Sequence, residues 1–187
     1  LFRISSIEYT LARENGDLSE MQRLENLLNS ESSRMAQRFR NSSRALGRIS
    51  QIQLLLNNPS EAALIARDGL QRVTGTPKLG DVLPAASAEF YLQSYGAVLE
   101  LLAPFVDEIS KSPSNRQESW QILFRSLLHE GRIEEAAKIY LAMFASVQMP
   151  PNWRPWLLYL QTLDPALAIE GYRIAEPGLS TFDLKLA

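Results

Sequence analysis

Residues 118–144 read ESWQILFRSLLHEGRIEEAAKIYLAMF, and they form the most regular part of the chain. Apolar residues recur at three- and four-residue intervals on both sides of Gly131, which is the pattern of amphipathic helices. A glycine between two such patterns favours a sharp turn, because glycine adopts backbone angles that other residues avoid. These residues therefore predict two antiparallel helices joined by a one-glycine turn.

Helix-start signals recur along the rest of the chain. Asp17, Asn58 and Asp164 are each a capping residue, followed by glutamate at the third position or by proline at the first. Apolar and polar residues rarely alternate, so strands are not expected and the chain is predicted to be all-α. We predict helices near residues 3–14, 18–29, 31–56, 59–73, 85–102, 104–111, 115–129, 132–147, 153–162 and 165–175.

Three places leave the internal boundaries open. Gly47 is a candidate break within the helix predicted for 31–56. Pro104 either ends one helix near Ala103 before another begins, or it bends a single helix, since proline removes a helical hydrogen bond. Residues 74–84 contain two glycines and two prolines and form the clearest predicted loop. We expect one helical domain over 1–187, with that loop as its candidate point of subdivision.

Composition excludes several classes of site. The chain has 187 residues, 45% of them hydrophobic, a formal net charge of −2, no cysteine and a single histidine. Disulfides, zinc–thiolate sites and two-histidine metal sites are therefore excluded. No apolar run reaches the roughly 18–20 residues that span a bilayer. We expect no cofactor, no metal, no membrane insertion and no catalytic residues.

The termini and the missing cysteines say less about location. The first residue is Leu1 rather than methionine, so we expect the sequence to be part of a longer protein. No signal peptide is visible. Helical domains without cysteine occur in both the cytoplasm and the periplasm, and both locations stay open.

Five positions in 118–144 carry a family resemblance. Trp120 and Leu123 precede Gly131, and Ala136 and Tyr140 follow it. This order of large, small and large residues resembles the tetratricopeptide repeat (TPR). The resemblance implies a right-handed superhelix of antiparallel helix pairs, an α-solenoid in which small residues let helices approach and large ones fill the gap to the next pair.

Weaker copies of the unit occur elsewhere. Ala168 follows Ala136 by 32 residues, and Tyr172 follows Ala168 as Tyr140 follows Ala136. Met21, Ala62 and Leu101 take the place of Ala136 in three earlier units, and Gly96 serves as the turn of the unit that contains Leu101. The resemblance thus implies about four to five irregular repeats. A non-repeating helical bundle and a different α-solenoid remain the alternatives.

The most basic surface is predicted within 31–48. On one continuous helix, the five arginines of this segment share an arc, opposite Met35, Phe39 and Leu46. This arc would suit an acidic partner segment or phosphate groups, because guanidinium binds such groups in a bidentate manner. The alternative is a solvated face paired with acids of a neighbouring helix. Nucleic acid is not expected, since no aromatic residue lies on the arc for stacking on bases. The arginines are Arg34, Arg38, Arg40, Arg44 and Arg48, and the partner-binding candidates among them are Arg40, Arg44 and Arg48.

The TPR resemblance implies a second candidate surface. TPR domains bind peptides in a groove lined by the first helix of each pair, and Gln121 and Arg125 are the partner-binding candidates in this chain. The lysines and asparagines that clamp chaperone tails are not present at the matching positions. The groove-facing positions implied for the best unit are Glu118, Gln121, Arg125, Leu128 and His129.

These patterns lead to one functional expectation and one alternative. We expect a scaffold or adaptor without enzymatic activity, which binds a partner protein or peptide through a helical groove. The basic arc favours a partner with acidic residues. The resemblance fits bacterial secretion, envelope or polysaccharide-export assemblies. The alternative is a regulatory or docking helical domain of a larger enzyme or regulator.

Overall fold

The fold is all-α. The computed structural model describes residues 2–111, 117–146 and 153–175, and the regular structure in these ranges is helical without a strand. The helices are α1 Phe2–Glu14, α2 Leu18–Arg38, α3 Ser43–Leu55, α4 Pro59–Gln71, α5 Leu79–Tyr91, α6 Tyr95–Leu102, α7 Val106–Lys111, α8 Gln117–His129, α9 Ile133–Ser146, α10 Trp153–Leu163 and α11 Pro165–Ala175.

The single helix predicted for 31–56 is wrong. Helix α2 continues to Arg38, and α3 starts at Ser43. The Ser42 side chain accepts a hydrogen bond from the Ala45 N–H at 3.3 Å, so it caps the new helix. Gly47 does not break α3. A β-carbon added there would lie 3.1 Å from Pro84 Cγ, so the glycine allows α3 to approach α5.

The helix predicted for 85–102 is also wrong, because it spans two helices. Helix α5 begins at Leu79, upstream of Pro84, and ends at Tyr91. The Lys78 N–H donates to the Asp81 carboxylate at 3.0 Å, which secures this earlier start. At Pro104 the helix ends rather than bends: α6 stops at Leu102, a 3₁₀ turn covers Ala103–Phe105, and α7 follows.

Four turns of the described chain share one backbone geometry. Their central residues adopt left-handed angles, with φ of 69° at Gly16, 60° at Asn57, 60° at Gln93 and 70° at Gly131. In each turn the central N–H donates to the carbonyl three residues back, and the next N–H donates to the carbonyl five residues before it. This pair of bonds is the Schellman motif, which satisfies the free carbonyls at the end of a helix. We call these the left-handed turns.

A new helix starts directly after each left-handed turn. At the fourth turn, the Arg132 N–H bonds the Leu127 carbonyl at 2.8 Å, and α9 begins at Ile133. At the third, the Ser94 N–H bonds the Glu89 carbonyl at 2.9 Å, and α6 begins at Tyr95. No residue therefore lies between the end of the turn motif and the start of the next helix.

The third turn corrects the predicted repeat register. Gly96 lies inside α6, and Gln93 is the turn residue. Five residues after the left-handed positions come Met21, Ala62, Val98 and Ala136, so Val98 rather than Leu101 is the counterpart of Ala136. Met21 is partly buried, and the other three are fully buried.

The chain divides into two compact units, Leu1–Ser94 and Tyr95–Ala187. In the first unit each helix from α1 to α5 contacts the next, and α3 also contacts α5. Glu89 of α5 is 2% exposed and forms an ion pair with Arg67 of α4. The predicted loop 74–84 also lies within this unit, but the prediction is wrong over 79–84, where α5 has already begun. One buried cluster of the unit consists of Tyr9, Ala12, Leu24, Leu28, Ile52 and Leu56.

In the second unit, both consecutive and next-but-one helices contact each other. Helix α8 contacts α6 and α9, while α9 contacts α7 and α11, and α11 contacts α10. Four rings link these helices: the ring centroids lie 4.9 Å apart for Trp120–Phe124, 5.6 Å for Phe124–Tyr140 and 5.8 Å for Tyr140–Trp156. Burial raises the pKa of Tyr140 to about 12. The tryptophans at 120 and 156 are therefore core residues, as their helical spacing indicates.

Candidate partner-binding site

Helix α8 exposes one polar stripe. Gln121, Arg125 and His129 are exposed and lie one turn apart along the helix. The residues between them, such as Leu123 and Leu127, are buried against the rest of the unit. The sequence-predicted candidates Gln121 and Arg125 therefore share an accessible face. Of the other implied groove positions, Glu118 is exposed, whereas Leu128 is fully buried, so its implied groove-facing position is wrong.

Helix α10 supplies a tyrosine to this face. The Arg125 Nε–H donates to the Tyr159 hydroxyl at 3.1 Å. The Arg125 guanidinium carbon also lies 5.5 Å from the centroid of the Tyr159 ring, which is a cation–π distance. Tyr159 therefore restrains the arginine both through its hydroxyl and through its ring.

The same hydroxyl reaches the only histidine of the chain. Tyr159 Oη lies 3.3 Å from His129 Nε2. The other side of the histidine is covered by Tyr95 at the start of α6, whose ring is parallel to the imidazole within 4° at a centroid distance of 4.1 Å. We call Tyr95, Arg125, His129 and Tyr159 the Arg125 cluster.

Electrostatics keeps the histidine neutral at pH 7. Burial lowers the pKa of His129 below its usual 6.5, and the positive charge of Arg125 lowers it further, while Glu130 opposes both. The resting cluster therefore presents a cation, a neutral imidazole and two phenol rings. Such a surface can bind a carboxylate through the guanidinium and an apolar group against the rings.

The predicted basic arc is split between two helices. Arg34 and Arg38 lie on α2, Arg40 lies in the turn, and Arg44 and Arg48 lie on α3, so the single arc is wrong. All five are exposed, and none forms an ion pair with an acidic residue of the described ranges. The pairing with neighbouring acids that the alternative interpretation requires is therefore not formed there, although the arginines remain close together along the chain.

A groove of about 350 Å³ lies elsewhere in the second unit, between α6–α7 and α8–α9. Its walls are mainly apolar, and Arg132 at its edge donates two hydrogen bonds of 2.7 Å to Glu135. The groove has room for one apolar side chain or a small ligand. Its apolar walls include Leu99, Val106, Leu123, Leu127 and Ile139, and its charged edge includes Asp107, Arg132, Glu135 and Lys138.

The described residues include neither a metal-binding group nor a membrane-spanning helix. The described residues contain no group of three or more histidine, aspartate or glutamate side chains placed to hold a metal ion. Among the described helices, none combines the length and apolar character that crossing a bilayer requires.

Comparison with known proteins adds no relative. No protein-family model, no curated protein and no solved structure matches the chain.

Sequence reasoning missed the two tyrosines of the Arg125 cluster. Tyr95 and Tyr159 lie on helices distant in sequence from α8, and their contacts depend on how α6 and α10 pack beside it. The exposed stripe at 121, 125 and 129 could be predicted from helical periodicity, whereas its aromatic partners could not.

Proposed function

We propose that this protein is an interaction module built as a TPR-like array of helix pairs, without enzymatic activity. Repetition of the left-handed turns supports the array, because each turn ends one helix and starts the next in the same way. The contacts of α7 with α9 and of α9 with α11 support a stack of helix pairs in the second unit. In this proposal the first helix of each pair contributes to the binding face.

The observation that carries the proposal is the Arg125 cluster. An exposed arginine is held in place by one side chain from a second helix, Tyr159, although no packing of the core requires it to be there. Arginine and tyrosine are the residue types that most often dominate binding energy at protein interfaces. A restrained arginine loses less side-chain entropy when a partner binds than a free one does, so the cluster is preorganised for recognition.

The proposal is tested by identifying partners with a matched pair of charge reversals. The wild-type chain, Arg125→Glu and Lys138→Glu are immobilised, and the captured proteins are quantified by mass spectrometry. Lys138 is exposed on α9, outside the Arg125 cluster, and its reversal changes the net charge by the same amount. We expect Arg125→Glu to lose partners that Lys138→Glu retains.

The fold and the other surface serve as controls. Circular dichroism and the melting temperature of both variants should match the wild type, since both side chains are exposed. A third variant reverses Arg40, Arg44 and Arg48 together. If this variant loses the partners and Arg125→Glu keeps them, the binding face lies on the first unit and the proposed α8 face is wrong.

A further inference from the structure

The Arg125 cluster places a proton acceptor beside its cation. Arg125 and His129 lie one turn apart on α8, and both contact the single hydroxyl of Tyr159, at 3.1 Å and 3.3 Å. We propose that Arg125 and His129 form a carboxylate-binding subsite that takes up one proton at His129 when the carboxylate binds. The inference rests on the proposed role of the α8 face in partner binding and names the chemistry of that face.

The directions of the hydrogen bonds define the resting state. Arginine only donates, so the Tyr159 oxygen must accept from the Arg125 Nε–H. The Tyr159 proton is then available to donate, and His129 Nε2 lies within reach as its acceptor. In the tautomer with its proton on Nδ1, the imidazole is neutral and Nε2 accepts this hydrogen bond. In this state the Tyr159 proton points toward the histidine and is not available to a ligand.

Protonation of His129 reverses the direction of the hydrogen bond between Tyr159 and His129. When Nε2 takes a proton from water, it becomes a donor, and the Tyr159 oxygen can accept from it and from Arg125 together because it has two lone pairs. The Tyr159 proton is then free to donate elsewhere. A carboxylate at the exposed side of the cluster would receive that hydrogen bond and face two positive charges. No covalent bond to the ligand forms, and the single proton comes from solvent.

The surroundings of His129 favour coupling rather than permanent charge. On α8 the neighbouring charges are Arg125 and Glu130, which oppose each other. Helix α6 contributes the Tyr95 ring, and α10 contributes the Tyr159 hydroxyl. The nearest charge at the start of α9, Arg132, is paired with Glu135. A carboxylate bound beside Arg125 would add a further negative charge near His129, and it would raise the pKa of His129.

The ligand class is a carboxylate of a polypeptide. The carboxylate matches the planar guanidinium of Arg125, and the exposed edges of the phenol rings suit the apolar atoms next to it. An aspartate or glutamate side chain and a free C-terminus offer the same group. Separate probes distinguish these two sources.

Because His129 is the only histidine, its imidazole gives one resolved titration by NMR. The pKa of His129 is measured alone and with excess of three acetylated tripeptides: one with a central aspartate and an amidated end, one of alanines with a free C-terminus, and one of alanines with an amidated end. We expect at least one carboxylate probe to raise the pKa, and the fully amidated probe to leave it unchanged. The probe that acts identifies the source of the carboxylate. If neither carboxylate probe raises the pKa, or if the amidated probe raises it equally, the proposed subsite is wrong.

Affinity provides the second test. As the pH rises from the pKa of His129 in the free protein to its pKa in the complex, the affinity for the effective probe should fall about tenfold per pH unit. The reason is that one proton is taken up on binding. His129→Gln keeps an acceptor for Tyr159 but cannot titrate, so its affinity should not depend on pH in that range. Tyr159→Phe keeps the ring and removes the hydroxyl, and it should reduce the pKa rise that the probe causes.

The two proposals can fail separately. If the partner binds through Arg125 with the same pH dependence in the wild type and in His129→Gln, proton uptake is refuted while the interaction face stands. If Arg125→Glu retains every partner, the interaction face fails, and the NMR titration still decides whether the cluster binds a carboxylate.

Discussion

The turns at Gly131 and Gln93 have the same backbone and different residues. Their φ angles are 70° and 60°, and both close with the same two hydrogen bonds. Only the first carries glycine, which adopts this conformation without a steric penalty. The difference shows that the backbone geometry of such a turn can persist where its sequence signal is absent.

Packing next to the turn offsets that penalty. A left-handed conformation costs a non-glycine residue about 1–2 kcal/mol. Val98, five residues after Gln93, is fully buried, as Ala136 is five residues after Gly131. Burying a valine side chain contributes about 1.5–3 kcal/mol, which is enough to hold the strained turn in place.

The strongest way to test the equivalence of the two turns is to remove a large side chain at the same distance from each. Tyr140 and Leu102 both lie nine residues after the left-handed residue, and both are buried. Tyr140→Ala should destabilise by about 3–5 kcal/mol and Leu102→Ala by about 2–5 kcal/mol, because each leaves a cavity. Urea denaturation measures both losses. A loss below about 1 kcal/mol at Leu102 would show that Leu102 and Tyr140 are not equivalent positions.

Overpacking tests the small residue beside the Gly131 turn. Ala136 is 0% exposed, so Ala136→Leu should cost about 1–3 kcal/mol through displaced neighbours. Lys138→Leu, an exposed change on the same helix, should stay within about 0.5 kcal/mol. Chemical denaturation of the two variants gives the comparison, and equal effects would remove Ala136 from the packed interface.

Substitution of the turn residue separates the effect of backbone conformation on stability from the effect of side-chain packing. Gly131→Ala should cost about 1–2 kcal/mol, because only the left-handed angle opposes it. No heavy atom lies within 4 Å of the position that the new β-carbon would occupy. Thermal unfolding monitored by circular dichroism measures the loss. A neutral result would mean that the turn relaxes to another conformation.

The converse change should have the opposite sign. Gln93→Gly relieves the strained angle, and it should stabilise the protein by up to about 1 kcal/mol. The same substitution at Gln121, inside α8, should cost about 1 kcal/mol, because glycine is a poor helix former. Melting temperatures of the two variants would then move in opposite directions. A loss in both would contradict the left-handed strain at Gln93.

The smallest expected effect is the pH dependence of folding stability that comes from His129, next to the Gly131 turn. His129 lies two residues before the turn, and its pKa is below 6.5 in the folded protein because of burial and Arg125. The unfolded chain therefore binds the proton first, and the wild type should lose stability as the pH falls from about 6.5 through the folded pKa. His129→Gln should lose less over the same range. The difference between their denaturation midpoints against pH isolates this contribution, and parallel curves would contradict it.

Sequence predicted the fold class and most helix ends, for identifiable reasons. Glycine at 131 and proline at 59 are strong local signals, and α9 and α4 begin at or next to the predicted positions. Gln93 gave no signal, because glutamine is not selected for left-handed angles. Pro84 gave a misleading one, since α5 extends upstream of it and packs the proline against Gly47.

The candidate site was predictable in part for the same reason. The TPR resemblance named Gln121 and Arg125 as groove-facing positions, and both are exposed on one face of α8. Tyr159 joined them only through the packing of α10, a tertiary relation that local patterns do not contain. The basic arc was misplaced because it assumed a continuous helix through residues 39–42, where Ser42 starts a new one.

The left-handed turns also determine where this chain tolerates changes in length. Each second helix starts at the residue after the motif, so one inserted residue would rotate that helix by about 100° and expose its buried stripe. Residues 39–42 and 72–78 join helices without this constraint. Foreign segments such as an epitope tag belong in those connections, and the hairpins themselves can be exchanged only as whole units.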